Sequence, residues 1–286
     1  MDVEKERIGI VLAGGSEKGL YEVGALRAVE EFFGRERIAG ISAASIGALV
    51  GYAFSARKSE TFVSLWKEIA EAKAGRFLMS QGRDPYVVER MRGLVGEEDA
   101  PDIPLSVALW NFTDRTTEYL PLLEAPRSDW REYLNAAVNV PFFNRGLRLN
   151  GKLYFDGGFI DNIPVFPFVG DPPTYIICIY FDPKTNYFEN DTFNRRVIRL
   201  CDFPMSKRLF GQCFFDPEGT DERIEYGYTY TRDRLHAVFD GHTREEIYAA
   251  AERDGIGRGV RRRFTADTLV TNLNKMTILV GKRKLL

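Results

Sequence analysis

Residues 8–19 read I-G-I-V-L-A-G-G-S-E-K-G, and residues 41–48 read I-S-A-A-S-I-G-A. In both, a short apolar run ends in a turn of small residues that opens into a helical pattern. Ile8–Leu12 is continuously apolar and rich in β-branched side chains, as a strand covered on both faces must be. After a glycine-rich loop, Leu20, Val23, Leu26, Val29 and Phe33 recur at helical spacing, and Gly34 follows as a stop. Ile38–Ile41 reads as a second strand; Ile46, Leu49, Val50 and Ala53 then make a helix with almost no polar face. Two such units place both helix N-termini at one edge of a parallel sheet, where their unpaired N–H groups converge. One turn carries glycines and the other carries Ser45, which pairs a hydroxyl with an anion-stabilising loop.

Further along, Lys58–Glu71 reads as a helix of mixed surface, and Asp84-Pro85 as a helix start running to about Leu94. Leu105–Phe112 and Thr116–Leu122 alternate around T-D-R and predict an antiparallel pair at the sheet's edge. Ser128 is expected to cap a helix reaching about Val138. Asn150-Gly151, between Leu147–Leu149 and Lys152–Phe155, is a strong hairpin signal, and Thr174–Phe181 reads as another buried strand. From Lys184 to Arg232 the chain is aromatic-rich and aperiodic. Thr243 and Glu246 then form a capping box for a helix to about Arg253, with Gly255 as its stop. The simplest division is a catalytic core over residues 6–184 and an extension over 185–286, packed on the core as a candidate lid.

A chain of 286 residues, 44% hydrophobic and 28% charged, has the material for a substantial globular core. Its net charge of −2 argues against a nucleic-acid partner, and the basic runs at 258–263 and 282–284 read as solvated faces. Cys178, Cys201 and Cys213 are odd in number and lack metal-ligand spacing, so no metal or cofactor is expected. Cys178 reads as a buried small hydrophobe. The start M-D-V-E-K-E-R does not resemble a signal peptide, and no apolar run reaches the ~20 residues that span a bilayer. The expected location is cytoplasmic, with peripheral contact at a membrane surface.

Ser45 sits in A-A-S-I-G, a strand-to-helix turn resembling a nucleophile elbow with alanine for the first glycine; an ordinary helix N-cap is the competing reading. Gly14–Gly19 lacks the G-K-[ST] of a phosphate loop and, with serine at position 16, the middle glycine of a dinucleotide fingerprint. What survives is a loop of backbone N–H groups suited to an oxyanion, or simply a tight βα turn. The two histidines, His236 and His242, lie far from these motifs. A base within the core must then be a carboxylate. Asp156, before two glycines at a strand end, is the best candidate, and Asp161 the competitor.

Together these segments resemble the patatin-like phospholipase family. Gly14–Gly19 is similar to that family's G-G-G-x-[RK]-G motif, Ala43–Gly47 to its G-x-S-x-G, and Asp156-Gly157-Gly158 to its D-G-[GA]. Asn162 and Pro164 match its N-x-P, and Val140–Phe143 its proline-aromatic segment. The likeness covers roughly residues 6–182, with all blocks in order. It implies a three-layer α/β/α sandwich with a mostly parallel central sheet. It implies a lipid acyl hydrolase with Ser45 as nucleophile, Asp156 as base and the amides of Gly14, Gly15 and Ser16 as oxyanion hole. Lys18, Gly19, Gly47, Gly157 and Gly158 are its supporting motif positions, with Lys18 as loop anchor. A lipid or other ester is the implied substrate. Ser16 in place of the third glycine disfavours the positive φ expected there, and keeps open an inactive acyl-binding regulatory module of the same fold. Phe142, Phe143 and Phe159 are candidates for an acyl groove, or for ordinary core.

Overall fold

The unbroken apolar runs of the sequence sit at the centre of one sheet. The computed structural model describes residues 6–73, 84–181, 194–204 and 217–257; Cys213 and both C-terminal basic runs lie outside them. The strands are β1 (Ile8–Leu12), β2 (Ile38–Ala44), β3 (Leu105–Asn111), β4 (Thr116–Pro121), β5 (Leu147–Leu149), β6 (Lys152–Asp156), β7 (Tyr175–Ile179) and β8 (Val197–Leu200). They run in the order β5-β6-β3-β2-β1-β7-β8, with β4 also paired to β3. The pairs β1–β2, β1–β7, β2–β3 and β7–β8 are parallel. The pairs β3–β4, β3–β6 and β5–β6 are antiparallel. The helices are α1 (Gly19–Phe33), α2 (Ile46–Ser55), α3 (Ser59–Ala72), α4 (Pro85–Arg92), α5 (Trp130–Ala137), α6 (Thr220–Phe239) and α7 over residues 244–257. This mixed, mostly parallel sheet flanked by helices is the expected α/β class.

Every residue of β1 and β7 is buried, which explains why neither strand alternates. All ten residues of α2 are buried as well, matching its lack of a polar face. Asp84 accepts from the Tyr86 amide at 3.0 Å and caps α4 as expected. Asn150 (φ 49°) and Gly151 (φ 79°) form the hairpin turn between β5 and β6.

Local differences have local causes. β2 runs on to Ala44 because Ser42 and Ala43 pair with Val11 and Leu12 on one side and with Ser106 and Val107 on the other. Ser128 does not cap α5; it lies in a 3-10 turn, Arg127–Asp129, and its hydroxyl donates to Asp129 at 3.0 Å. Gly255 does not stop α7, which continues through residue 257. A Cβ at Gly255 would lie 2.9 Å from the buried Arg199 guanidinium, so close packing selects glycine there.

The stretch beyond Lys184 that looked aperiodic contributes β8 to the sheet edge and α6 to the helical layer. α6 lies against α1 backbone to backbone. A Cβ added at Gly227 would stand 2.1 Å from the Tyr21 carbonyl oxygen, and one at Gly24 would stand 1.8 Å from that of Ile224. Around this contact the Tyr228 hydroxyl donates to Glu31 at 2.7 Å, and Arg27 pairs with Glu225 at 3.0 Å. A side chain at position 227 must push the helices apart. Gly227→Val is expected to cost about 3 kcal/mol, read as a lower urea midpoint. An unmoved midpoint would show that α6 does not depend on this contact.

Candidate active site

Ala44 at the end of β2 is paired with Ala108, and one residue further along β3 Leu109 is paired with Asp156. β3 therefore brings the carboxyl end of β6 against the turn that follows β2. That turn is Ser45, with φ 54° and ψ −131°, strained for a residue with a side chain and immediately followed by α2. It is the geometry of a nucleophile elbow, and Ser45 makes no side-chain cap bond. Ala43 lies inside β2 rather than in the turn, so its methyl group is housed without distortion. Gly47 follows in the first turn of α2, packed on Leu12, and Gly19 opens α1 against Ile46.

The Asp156 carboxyl is buried and sits beside the Ser45 hydroxyl. It accepts from the Gly158 amide at 2.8 Å. Burial pushes its pKa up to about 7, against the opposing pull of the Ser45 hydroxyl and the Gly158 amide. Gly157 makes the close approach possible: a Cβ there would lie 2.4 Å from the Ala108 backbone. The competitor Asp161 is used elsewhere. Its two oxygens accept from the Tyr119 hydroxyl at 2.6 Å and from the Ile163 amide at 3.2 Å.

The glycine loop is clamped across the site. Gly14 donates its amide to Asn162 Oδ1 at 2.9 Å, and Asn162 Nδ2 donates back to the Gly14 carbonyl at 3.0 Å. A Cβ at Gly14 would fall 2.7 Å from the Ser45 Cβ, so only glycine fits. Gly14, Gly15 and Ser16 all line the pocket, but the Gly14 amide is committed to Asn162. Ser16 adopts φ 56°, the conformation a glycine would supply. Lys18 holds its ammonium 5.5 Å over the Phe181 ring.

Ser45, Asp156, Gly158, Asn162 and the glycine loop close one end of a cavity of about 320 Å³. Its walls are apolar: Trp66 from α3, Val87, Val88 and Met91 from α4, and Val138 and Val140 after α5. Asn135 interrupts them with a buried Oδ1 that has no hydrogen-bond partner. Of the three phenylalanines, Phe159 rims the cavity, whereas Phe142 (80% exposed) and Phe143 lie at the surface, neither groove nor core. His236, exposed and paired with Asp240, and His242, exposed, do not line the cavity. Among the described residues, no group of three or more His, Cys, Asp or Glu side chains could hold a metal. The clamp role of Asn162 was not legible beyond its place in N-x-P, and the walls from α3 and α4 carry no motif. A hydroxyl against a carboxyl poised near neutrality, beside backbone amides and an apolar cavity, is equipped for acyl transfer from a hydrocarbon chain.

The family model described as Patatin-like phospholipase matches residues 10–169. An uncharacterized NTE family protein of Mycobacterium bovis is 27% identical over 179 residues, covering 57% of this chain and 46% of that protein. Lysophospholipase NTE1 of Scheffersomyces stipitis is 25% identical over 194 residues, covering 62% of this chain and 12% of its own length. The chain thus matches under half the length of these relatives. The structure of VipD from Legionella pneumophila aligns with a TM-score of 0.48 and 13% identity, covering 95% of this chain and 77% of that one.

Folded protein keeps the Asp156 proton up to about pH 7, whereas the unfolded chain releases it near the ordinary value of 3.8. Between those values the folded state binds more protons, so stability falls as pH rises. The unfolding free energy of Asp156→Asn is therefore expected to gain on wild type from about pH 4 to about pH 7 and to hold its lead above. A difference independent of pH would mean that the carboxyl titrates normally in the folded protein.

Proposed function

The chain belongs to the patatin-like phospholipase family, and we propose that it is a serine acyl hydrolase acting on lipid esters through a Ser45–Asp156 dyad. The observation that carries the proposal is the Ser45 hydroxyl beside a buried carboxyl of pKa about 7, both lining an apolar cavity. With Asp156 ionised, Ser45 Oγ attacks the ester carbonyl while its proton passes to the carboxylate. The tetrahedral oxyanion is met by backbone amides at Gly15 and Ser16. Collapse releases the alcohol, which takes the proton from Asp156 and leaves an acyl-enzyme. Asp156 then accepts a proton from water, whose oxygen attacks the acyl carbon, and on collapse Asp156 returns that proton to the departing Ser45 Oγ, which frees the fatty acid and restores the starting dyad.

One apolar cavity leads away from Ser45, which suits a single acyl chain and agrees with the name of the fungal relative, lysophospholipase. The alternative of an inactive acyl-binding module drew on Ser16, and the φ of 56° at that residue supports the catalytic reading, because the loop keeps a glycine-like shape.

Ser45→Ala is expected to abolish both hydrolysis of p-nitrophenyl butyrate and lysophosphatidylcholine and labelling by a fluorophosphonate. Asp156→Asn should lower kcat by roughly 10³-fold. The wild-type kcat/KM should rise with pH through a midpoint near 7, since only the ionised carboxylate can take the serine proton. A His236→Ala/His242→Ala variant should match wild type; loss of its activity with the fold intact would replace the dyad with a triad.

A further inference from the structure

The antiparallel end of the sheet has two unlike faces. α5 packs on one, where Tyr133 meets Tyr154 of β6 with ring centroids 6.0 Å apart. Strand alternation sends the neighbours of Tyr154 to the other face: Leu153 and Phe155 on β6, their partners Arg148 and Trp110, and Phe112 two residues beyond Trp110. On this second face the cover is aromatic. Trp110 contacts Phe112, Phe155 and Phe159 with centroids 5.2, 5.8 and 5.7 Å apart, and Phe159 continues to Phe142 at 5.5 Å. The outer rings meet solvent: Phe112 is 49% exposed, Phe159 52% and Phe142 80%. Ile160 and Phe143, the chain neighbours of Phe159 and Phe142, are exposed as well. A contiguous exposed ridge of this kind marks an interaction surface.

Two further observations identify its occupant. The ridge ends at the cavity, because Phe159 belongs to both, so whatever covers the rings lies at the entrance to Ser45. The ridge is also flanked by cations. Arg115 shares the β3–β4 turn with Phe112, Arg145 follows Phe143 and Asn144, and Arg148 stands on β5 across from Leu153. All three are exposed and have no acidic partner among the described residues. The nearby Asp114 and Glu118 share Lys152 at 3.0 and 3.2 Å, which leaves one negative charge at this turn against the three arginines. Exposed aromatic rings bordered by unpaired arginines match the interface of an anionic bilayer, with rings among the acyl chains and guanidinium groups at the phosphates.

We propose that the ridge Phe112–Trp110–Phe159–Phe142, with Arg115, Arg145 and Arg148, docks the protein on anionic lipid membranes and presents the cavity mouth to a lipid leaving the bilayer. This deepens the reading of the site as a lipid hydrolase and rests on it for the direction of substrate entry. The docking itself does not need the chemistry.

Full-length protein would be sedimented with vesicles of phosphatidylcholine alone and of phosphatidylcholine with phosphatidylglycerol. Wild type is expected to bind the mixed vesicles and to lose affinity as salt rises. Phe112→Ser and Phe142→Ser should each weaken binding about tenfold, and Arg145→Glu/Arg148→Glu should erase the preference for anionic vesicles. None of these residues lines the cavity, so hydrolysis of soluble p-nitrophenyl butyrate should stay at the wild-type rate while hydrolysis of vesicle lipid falls with binding. Vesicle binding unaffected by the Phe and Arg variants would overturn the proposal. So would a wild-type dimer, lost in Phe142→Ser, in a protein that ignores vesicles, since the ridge would then serve a second copy. A fluorophore at Phe142→Cys, in a Cys213→Ser background, should shift to the blue only when vesicles are added. A blue spectrum without them would place another part of this chain on the ridge and likewise overturn it. If ridge-dependent binding holds while wild type hydrolyses no ester, docking stands and the hydrolase reading falls.

Discussion

The register of β3 is the constraint on which the site depends. Along one edge this strand is held antiparallel to β4, and along the other it is held parallel to β2 over Leu105–Ala108 and then antiparallel to β6 over Leu109–Asn111, so that these two ladders meet at Ala108 and Leu109. The hydroxyl of Ser45 and the carboxyl of Asp156 are thereby located by backbone hydrogen bonds rather than by flexible loops. A slip of one residue on either side would turn the Asp156 side chain to the opposite face of the sheet. Gly157, pressed on the Ala108 backbone, allows the chain to leave β6 without lifting it away.

Burial then sets the chemistry. Leaving water raises the proton affinity of Asp156, and the neighbouring Ser45 hydroxyl and the bond from the Gly158 amide hold that rise near neutrality. The same desolvation lowers the stability of the ionised fold, a tension common to sites that carry a base in an apolar setting. Asn162 is the second fixed point. By accepting from the Gly14 amide and donating to the Gly14 carbonyl, it holds the loop rigid where an oxyanion would form.

Much of this was legible in the sequence, and the exceptions share a cause. Ile8–Leu12, Asp84-Pro85, Asn150-Gly151 and the three glycine- and serine-bearing motifs depend on local chemistry, so a window of a few residues reveals them. α6 was hidden because its close approach to α1 is made by a glycine, Gly227 against Tyr21, with Phe239 meeting Phe32 and Phe33 only at its end. Gly227, Thr231 and Leu235 are buried, while most other positions are polar or aromatic and leave no wide apolar stripe. The clamp role of Asn162, the commitment of the Gly14 amide to it and the walls from α3 and α4 arise only when distant segments meet. Phe142, Phe143 and Phe159 show the limit in reverse, because hydrophobic character alone did not separate cavity rim from surface.

The clamp joins residues 148 positions apart, and this has a consequence for how the protein comes into being. A ribosome delivers the Ser45 elbow early, while the carboxylate beside it and the amide that braces its loop are still to be synthesised. β7, which fills the place beside β1, emerges later again. The N-terminal portion of a nascent chain therefore holds Ser45 without the Asp156 carboxyl. The pairing with Asp156 requires β6 to find β3, and that distant closure is the slow kind of folding event. Assembly order thus leaves Ser45 without its carboxyl neighbour until β6 has joined β3.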